Sequence, residues 1–183
     1  MCVRMFGCVM RLFVRLPVVM AGAMAVMLAG LAGAAEAKPE RIPVSGYEHP
    51  AGTIVVKTGQ RRLYLILGDG TALRYTVGVG RQGQQWSGAA HVDGKYKKPA
   101  WSPPDDIRRA NPKLPKVIAG GAPNNPMGVA ALTLSGGEYA IHGTNDPKSV
   151  GGFVSHGCIR MHNADILDLY RRVDVGARVI VVR

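Results

Sequence analysis

The sequence predicts a mainly β domain with one or two short helices and a long loop. Three observations predict it. Short β-branched runs recur from Thr53 onward, separated by turns rich in Gly and Asp. Only one long stretch, near the C-terminus, carries an apolar stripe at helical spacing. Between these, residues 100–128 are rich in Pro, Asn and Gly and follow neither period.

The elements follow in chain order. Arg4, Arg11 and Arg15 come before or at the start of an apolar region whose uncharged run, Leu16 to Ala35, leads into the small-x-small triplet Ala35-Glu36-Ala37. That order reads as an export signal over residues 1–37, cleaved to leave Lys38 first. A retained membrane anchor is the alternative, because about 20 apolar residues span a bilayer. Residues 38–50 contain three prolines and little periodicity and read as a short tether. Residues 51–183 read as one domain, long enough for a core of its own.

Within that domain, TIVVK (53–57), RRLYLIL (61–67) and ALRYTVGVG (72–80) form a β-meander closed by the turns TGQ and GDG. PPDDIRRA (103–110) starts with Pro and places Asp in a first turn, which suits a short helix. The rest of the 100–128 segment reads as a functional lid. EYAIHG (138–143) is a strand with His142 near its end. NADILDLYRRV (163–173) is the best helix: Asn163 is placed to cap it, Ile166, Leu169, Tyr170 and Val173 share a face, and Arg171 and Arg172 suit its C-terminal end. ARVIVV (177–182) is the last strand.

Charge narrows the partners. The chain carries a formal net charge of +11, and loss of residues 1–37 leaves about +9. Such a surface suits an anionic wall polymer or membrane surface. Nucleic acid fits poorly, since the chain is read as exported and interleaves no aromatic series with its basic residues.

Of three cysteines, Cys2 and Cys8 lie in the export signal, so Cys158 is alone in the domain and has no internal disulfide partner. A lone thiol in an exported protein is a reactive group, an intermolecular partner, or an inert core residue. Its setting, SHGCIR (155–160), favours the first. A neighbouring imidazole can take a thiol proton, and His142, His156 and His162 are candidates. Along an extended segment His156, Cys158 and Arg160 share a face, but side chains two apart run parallel and their tips do not converge. A base arriving from another strand meets the thiol head-on, which favours His142. Gly157 permits backbone geometry that exposes N–H groups as an oxyanion hole, and Arg160 is suited to holding a carboxylate. The same histidines and Cys158 are conceivable zinc ligands, but there is no CxxC pair and the spacing is wrong, so no metal or other cofactor is expected.

Taken together, IHGTNDP (141–147) and SHGCIRMHNADILDLY (155–170), with Cys158 sixteen positions after His142, resemble the catalytic signature of the YkuD-like L,D-transpeptidases. The resemblance runs from about Thr53 to the C-terminus. It implies a β-sandwich or mixed-sheet fold. It implies Cys158 as nucleophile, His142 as base and acid, and Gly143 as the carbonyl orienting that imidazole. Ser155, His156, Gly157 and Arg160 would line the oxyanion and substrate pocket. It further implies peptidoglycan stem peptides as partners, with D-alanine released from a tetrapeptide and the acyl group passed to a stem or a wall protein's amine. Sensitivity to carbapenems follows from the same resemblance, and the export signal implies a periplasmic or cell-wall location. A hydrolase with the same acyl-enzyme and a non-catalytic wall-binding module are the rival readings. One stretch departs from the family pattern: WSGAAHV (86–92) stands where many members carry Thr-Pro-x-Gly.

Overall fold

A computed structural model describes residues 39–45, 49–137 and 139–183. The signal over residues 1–37 lies outside them. Among the described residues, no helix is long and apolar enough to cross a membrane.

The meander is present. β2 (Ile54–Lys57), β3 (Arg62–Ile66) and β4 (Thr71–Thr76) pair antiparallel in sequence order. One face of these strands, including Ile54, Val56, Leu63, Leu65 and Tyr75, enters the main core. The other face, with Val55, Tyr64, Ile66 and Ala72, forms a smaller cluster. This smaller cluster corrects the reading of residues 38–50 as a tether. Glu40–Pro43 is strand β1, paired antiparallel with β4, and Ile42 and Val44 pack on the small cluster. Pro43, one of the prolines that suggested a tether, is tolerated there because β1 ends the sheet, where a missing N–H breaks no ladder.

The C-terminal strand β11 (Arg178–Val182) runs parallel to β2 and antiparallel to β6 (Gly88–Lys97). β6 bends. Its first residues pair with β11, and after a register shift between Val92 and Gly94 its remainder pairs with β7 (Ala130–Leu134). A bulge of this kind turns a strand and raises its twist. Beyond β7 come β8 (Ala140–His142) and β10 (Ile159–Arg160), while β5 (Val79–Gly80) and β9 (Phe153–Ser155) make a separate two-stranded pair. The result is the mixed-sheet form of the expected mainly β fold.

Two α-helices occur among the described residues. α1 (Asp105–Ala110) starts after Pro104, with acidic residues in its first turn and basic ones in its last. α2 (Asn163–Arg172) buries Ile166 and Leu169 against the sheet. Asn163 does not cap it as expected. His162 holds the cap position, and the Asn163 side chain turns to the loop after β8.

Candidate active site

The site forms where β8 and β10 end side by side. They are parallel, with Ile159 opposite Ile141 and Arg160 opposite His142. The pairing continues past the strands through Met161 N–H to His142 O at 2.8 Å. Partners across a parallel pair project to one face. Arg160 therefore lies beside His142, and Cys158, two residues earlier, begins the same run. The pairing thus sets the segment that directly follows Cys158 beside the strand that ends in His142, although sixteen positions separate the two residues along the chain.

His142 is buried. Its Nδ1 lies 2.6 Å from the Gly143 carbonyl, an arrangement in which Nδ1–H donates. Burial first, then the Arg160 charge, pull its pKa down to about 4, against the carbonyls of Gly143 and Pro126, which favour the proton. The imidazole is therefore neutral at ordinary pH, with Nε2 as its basic atom. Gly143 must be small, because a Cβ there would come within 2.3 Å of Asn163 Oδ1. That oxygen accepts from Thr144 N–H at 3.0 Å, and Asn163 Nδ2 donates back to Thr144 O at 3.0 Å. This two-way clamp joins α2 to the loop that orients His142.

Arg160 donates from Nη1 to Ser149 Oγ at 3.0 Å, while its buried Nε has no hydrogen-bond partner among the described residues. Burial lowers the guanidinium pKa, and the charges of Asp146 and the Cys158 thiolate oppose that. The same cation thus lies within electrostatic reach of both groups, adding to burial in lowering the His142 pKa and interacting with Cys158.

The turn holding Cys158 is built from its own polar groups. Ser155 Oγ donates to Cys158 O at 2.6 Å and accepts from Gly157 N–H at 3.1 Å. Two expectations change here. Ser155 is buried within the turn, and the Gly157 N–H donates to its Oγ instead of standing free as an oxyanion donor. His156 does line the cavity with Cys158. Its Nε2 contacts the Arg81 guanidinium and lies 4.0 Å from Asp106 Oδ2. Arginine only donates, so that nitrogen accepts and is engaged. His162 supplies its carbonyl to the first turn of α2.

Cys158 borders two cavities of about 380 and 500 Å³, within the range that holds small ligands. Tyr139 and Pro104 line both, Asp106 one, and Trp101 and Met127 the other. The segment read as a lid therefore walls the space around the thiol. Sequence reasoning missed Tyr139 and Trp86. The two rings stack with centroids 5.0 Å apart, and Trp86 Nε1 donates to Gly157 O at 3.0 Å. Trp86 opens the stretch that departs from the family pattern, which was the available signal. Among the described residues, no group of three or more His, Cys, Asp or Glu side chains is placed to hold a metal ion.

Comparison with known proteins points one way. Residues 51–181 match the family model described as the L,D-transpeptidase catalytic domain, YkuD. The Escherichia coli K12 protein named Probable L,D-transpeptidase YbiS is 39% identical over 135 residues, covering 69% of this chain and 43% of that protein. Probable L,D-transpeptidase ErfK/SrfK of Salmonella typhimurium is 39% identical over 138 residues, covering 70% and 43%. The chain thus matches less than half the length of these curated relatives. Among solved structures, L,D-transpeptidase 3 from Mycobacterium tuberculosis superposes with a TM-score of 0.56 at 19% identity, over 73% of this chain and 62% of that one. The Enterococcus faecium L,D-transpeptidase catalytic domain acylated by ertapenem gives 0.56 at 16% identity, over 73% and 98%. At these identities the superpositions show a shared fold.

Proposed function

The chain belongs to the YkuD family of L,D-transpeptidase catalytic domains, and on that premise we propose that it is a peptidoglycan L,D-transpeptidase working through a Cys158 thioester. The observation that carries this reading is the parallel β8–β10 pairing, which sets the Cys158 turn beside a neutral, carbonyl-oriented imidazole.

The reaction divides into two transfers. His142 Nε2 takes the thiol proton as Cys158 Sγ attacks the carbonyl carbon of the stem diaminopimelate residue. The oxyanion that forms needs fixed donors, and the Cys158 backbone N–H is suited to that task. Collapse breaks the peptide bond to D-alanine, whose amine leaves with the proton that His142 gives back. An acceptor amine then attacks the thioester, loses its proton to His142, and releases the thiolate, which recovers that proton. A neutral imidazole can start each half, while its two carbonyl neighbours and the thiolate stabilise the transient imidazolium.

The acceptor in this reading is the side-chain amine of a second stem or an amine of an anchored wall protein. The basic surface suits an anionic wall or membrane surface, and the signal over residues 1–37 sends the domain to the periplasm or cell wall. Mass spectrometry of products from disaccharide-tetrapeptide tests the activity. Cross-linked dimers with loss of D-alanine are expected. Tripeptide alone would make the enzyme a hydrolase, and an unchanged substrate would leave it a non-catalytic module.

A further inference from the structure

The Gly157–Cys158 peptide is fixed on one side by an aromatic pair. Trp86 Nε1 donates to the Gly157 carbonyl at 3.0 Å. The indole stacks on Tyr139 with the rings 5° from parallel, and both rings pack against the main core. Tyr139 in turn presses on Gly157. A Cβ built there would come within 2.3 Å of its ring, and Gly157 has φ of +125°, which side chains resist. On the other side, Ser155 Oγ holds Gly157 N–H and Cys158 O.

No cis peptide occurs among the described residues. In a trans peptide the C=O and the following N–H point in opposite directions. Pinning the Gly157 carbonyl toward Trp86 therefore aims the Cys158 N–H the other way. An indole suits this task, since Nε1–H can only donate and stacking fixes its plane.

We propose that Trp86 is a positioning residue for acyl transfer: by holding the Gly157 carbonyl it aims the Cys158 N–H at the developing oxyanion, with Tyr139 as the strut. Trp86 itself touches no substrate in this scheme. The stretch that departs from the family pattern thus supports the nucleophile from behind. This role rests on the proposed acyl-enzyme reaction.

The test compares two reactions of Cys158 in the full chain. Alkylation by iodoacetamide displaces iodide and develops no oxyanion, so it reports the thiol alone. Acylation by a carbapenem does develop one. Trp86→Phe keeps a ring for the stack and removes the donor. Its alkylation rate is expected within about 2-fold of wild type and its acylation at least about 10-fold slower, below the full loss of an oxyanion donor. Benzothienylalanine at position 86 keeps the bicyclic shape without the N–H; it is expected to behave alike and serves if the Phe variant fails to fold. Acylation at the wild-type rate in either folded variant overturns the role, as does an equal fall in both reactions. A wild-type protein that alkylates at Cys158 yet never acylates would instead sink the proposed function, and this role with it.

Discussion

His142 and His156 both lie within the candidate site, and their surroundings divide the labour. His142 is buried, neutral and oriented through Nδ1, whereas His156 has its Nε2 turned to Arg81 and shares a cavity wall with Cys158. His142→Ala is therefore expected to slow carbapenem acylation of Cys158 by at least about 10²-fold, the lower range for a lost general base. His156→Ala should stay within about 10-fold, and intact-protein mass spectra against time distinguish the two. The reverse order would exchange their roles. The depressed pKa also predicts a pH effect. An unfolded histidine takes a proton near pH 6.5, while folded His142 resists until about pH 4. Below pH 6.5 the unfolded state binds more protons, so stability falls with pH and levels off below about 4. The window is worth about 3 kcal/mol. Urea unfolding at pH 7 and pH 4.5 should show a smaller acid loss in His142→Gln than in wild type.

At the scale of elements, the clamp between α2 and the loop after β8 carries the geometry of His142, the proposed base. Asn163→Ala removes three hydrogen bonds, two to Thr144 and a longer one from Val129 N–H, and opens space beside Gly143. A loss of about 1–3 kcal/mol is expected, as for unpaired buried groups, with slower acylation even in the folded fraction. Denaturant melts and adduct rates measured on one sample check both parts. The same residue shows where sequence reading stops. Asn before an apolar stripe signals a helix start, and the helix is there, but only the fold reveals that a different element takes the side chain. The meander, β8 and β11 were legible as short β-branched or aromatic runs set between turn residues, and α2 from its apolar stripe at helical spacing. β6 was not: GAAHVDGKYK mixes small and charged residues, and its bulge interrupts the alternation. β7, AALTL, is nearly all buried and lacks the alternation that marks a half-exposed strand. Cys158, His142 and Arg160 were legible because the motif lies along the chain. Trp86 and Tyr139 were not, because their contact with Gly157 exists only after folding.

For the folded domain as a whole, one core joins the strands far from the thiol to those that hold it. The main cluster contains Leu63 and Tyr75 from the meander, Leu132 from β7, Ile141 and Ile159 from the paired site strands, and Ile166 and Leu169 from α2. β6 runs through both parts of the sheet. A core that is continuous in this way cannot lose one part without exposing the other, so unfolding should be a single cooperative event. Leu63→Ala is the probe. Leu63 is fully buried in β3, outside the β8–β10 site. Its truncation should cost about 2–5 kcal/mol, the range for a buried leucine. Acylation of Cys158 well below the melting temperature should remain within about 2-fold of wild type, since no group of the site is altered. On heating, loss of far-ultraviolet circular dichroism and loss of carbapenem reactivity should coincide, both shifted down together in the variant. A site that loses reactivity well before the sheet melts would show that the β8–β10 region opens on its own, and that its geometry depends on local contacts such as the Asn163 clamp more than on the shared core.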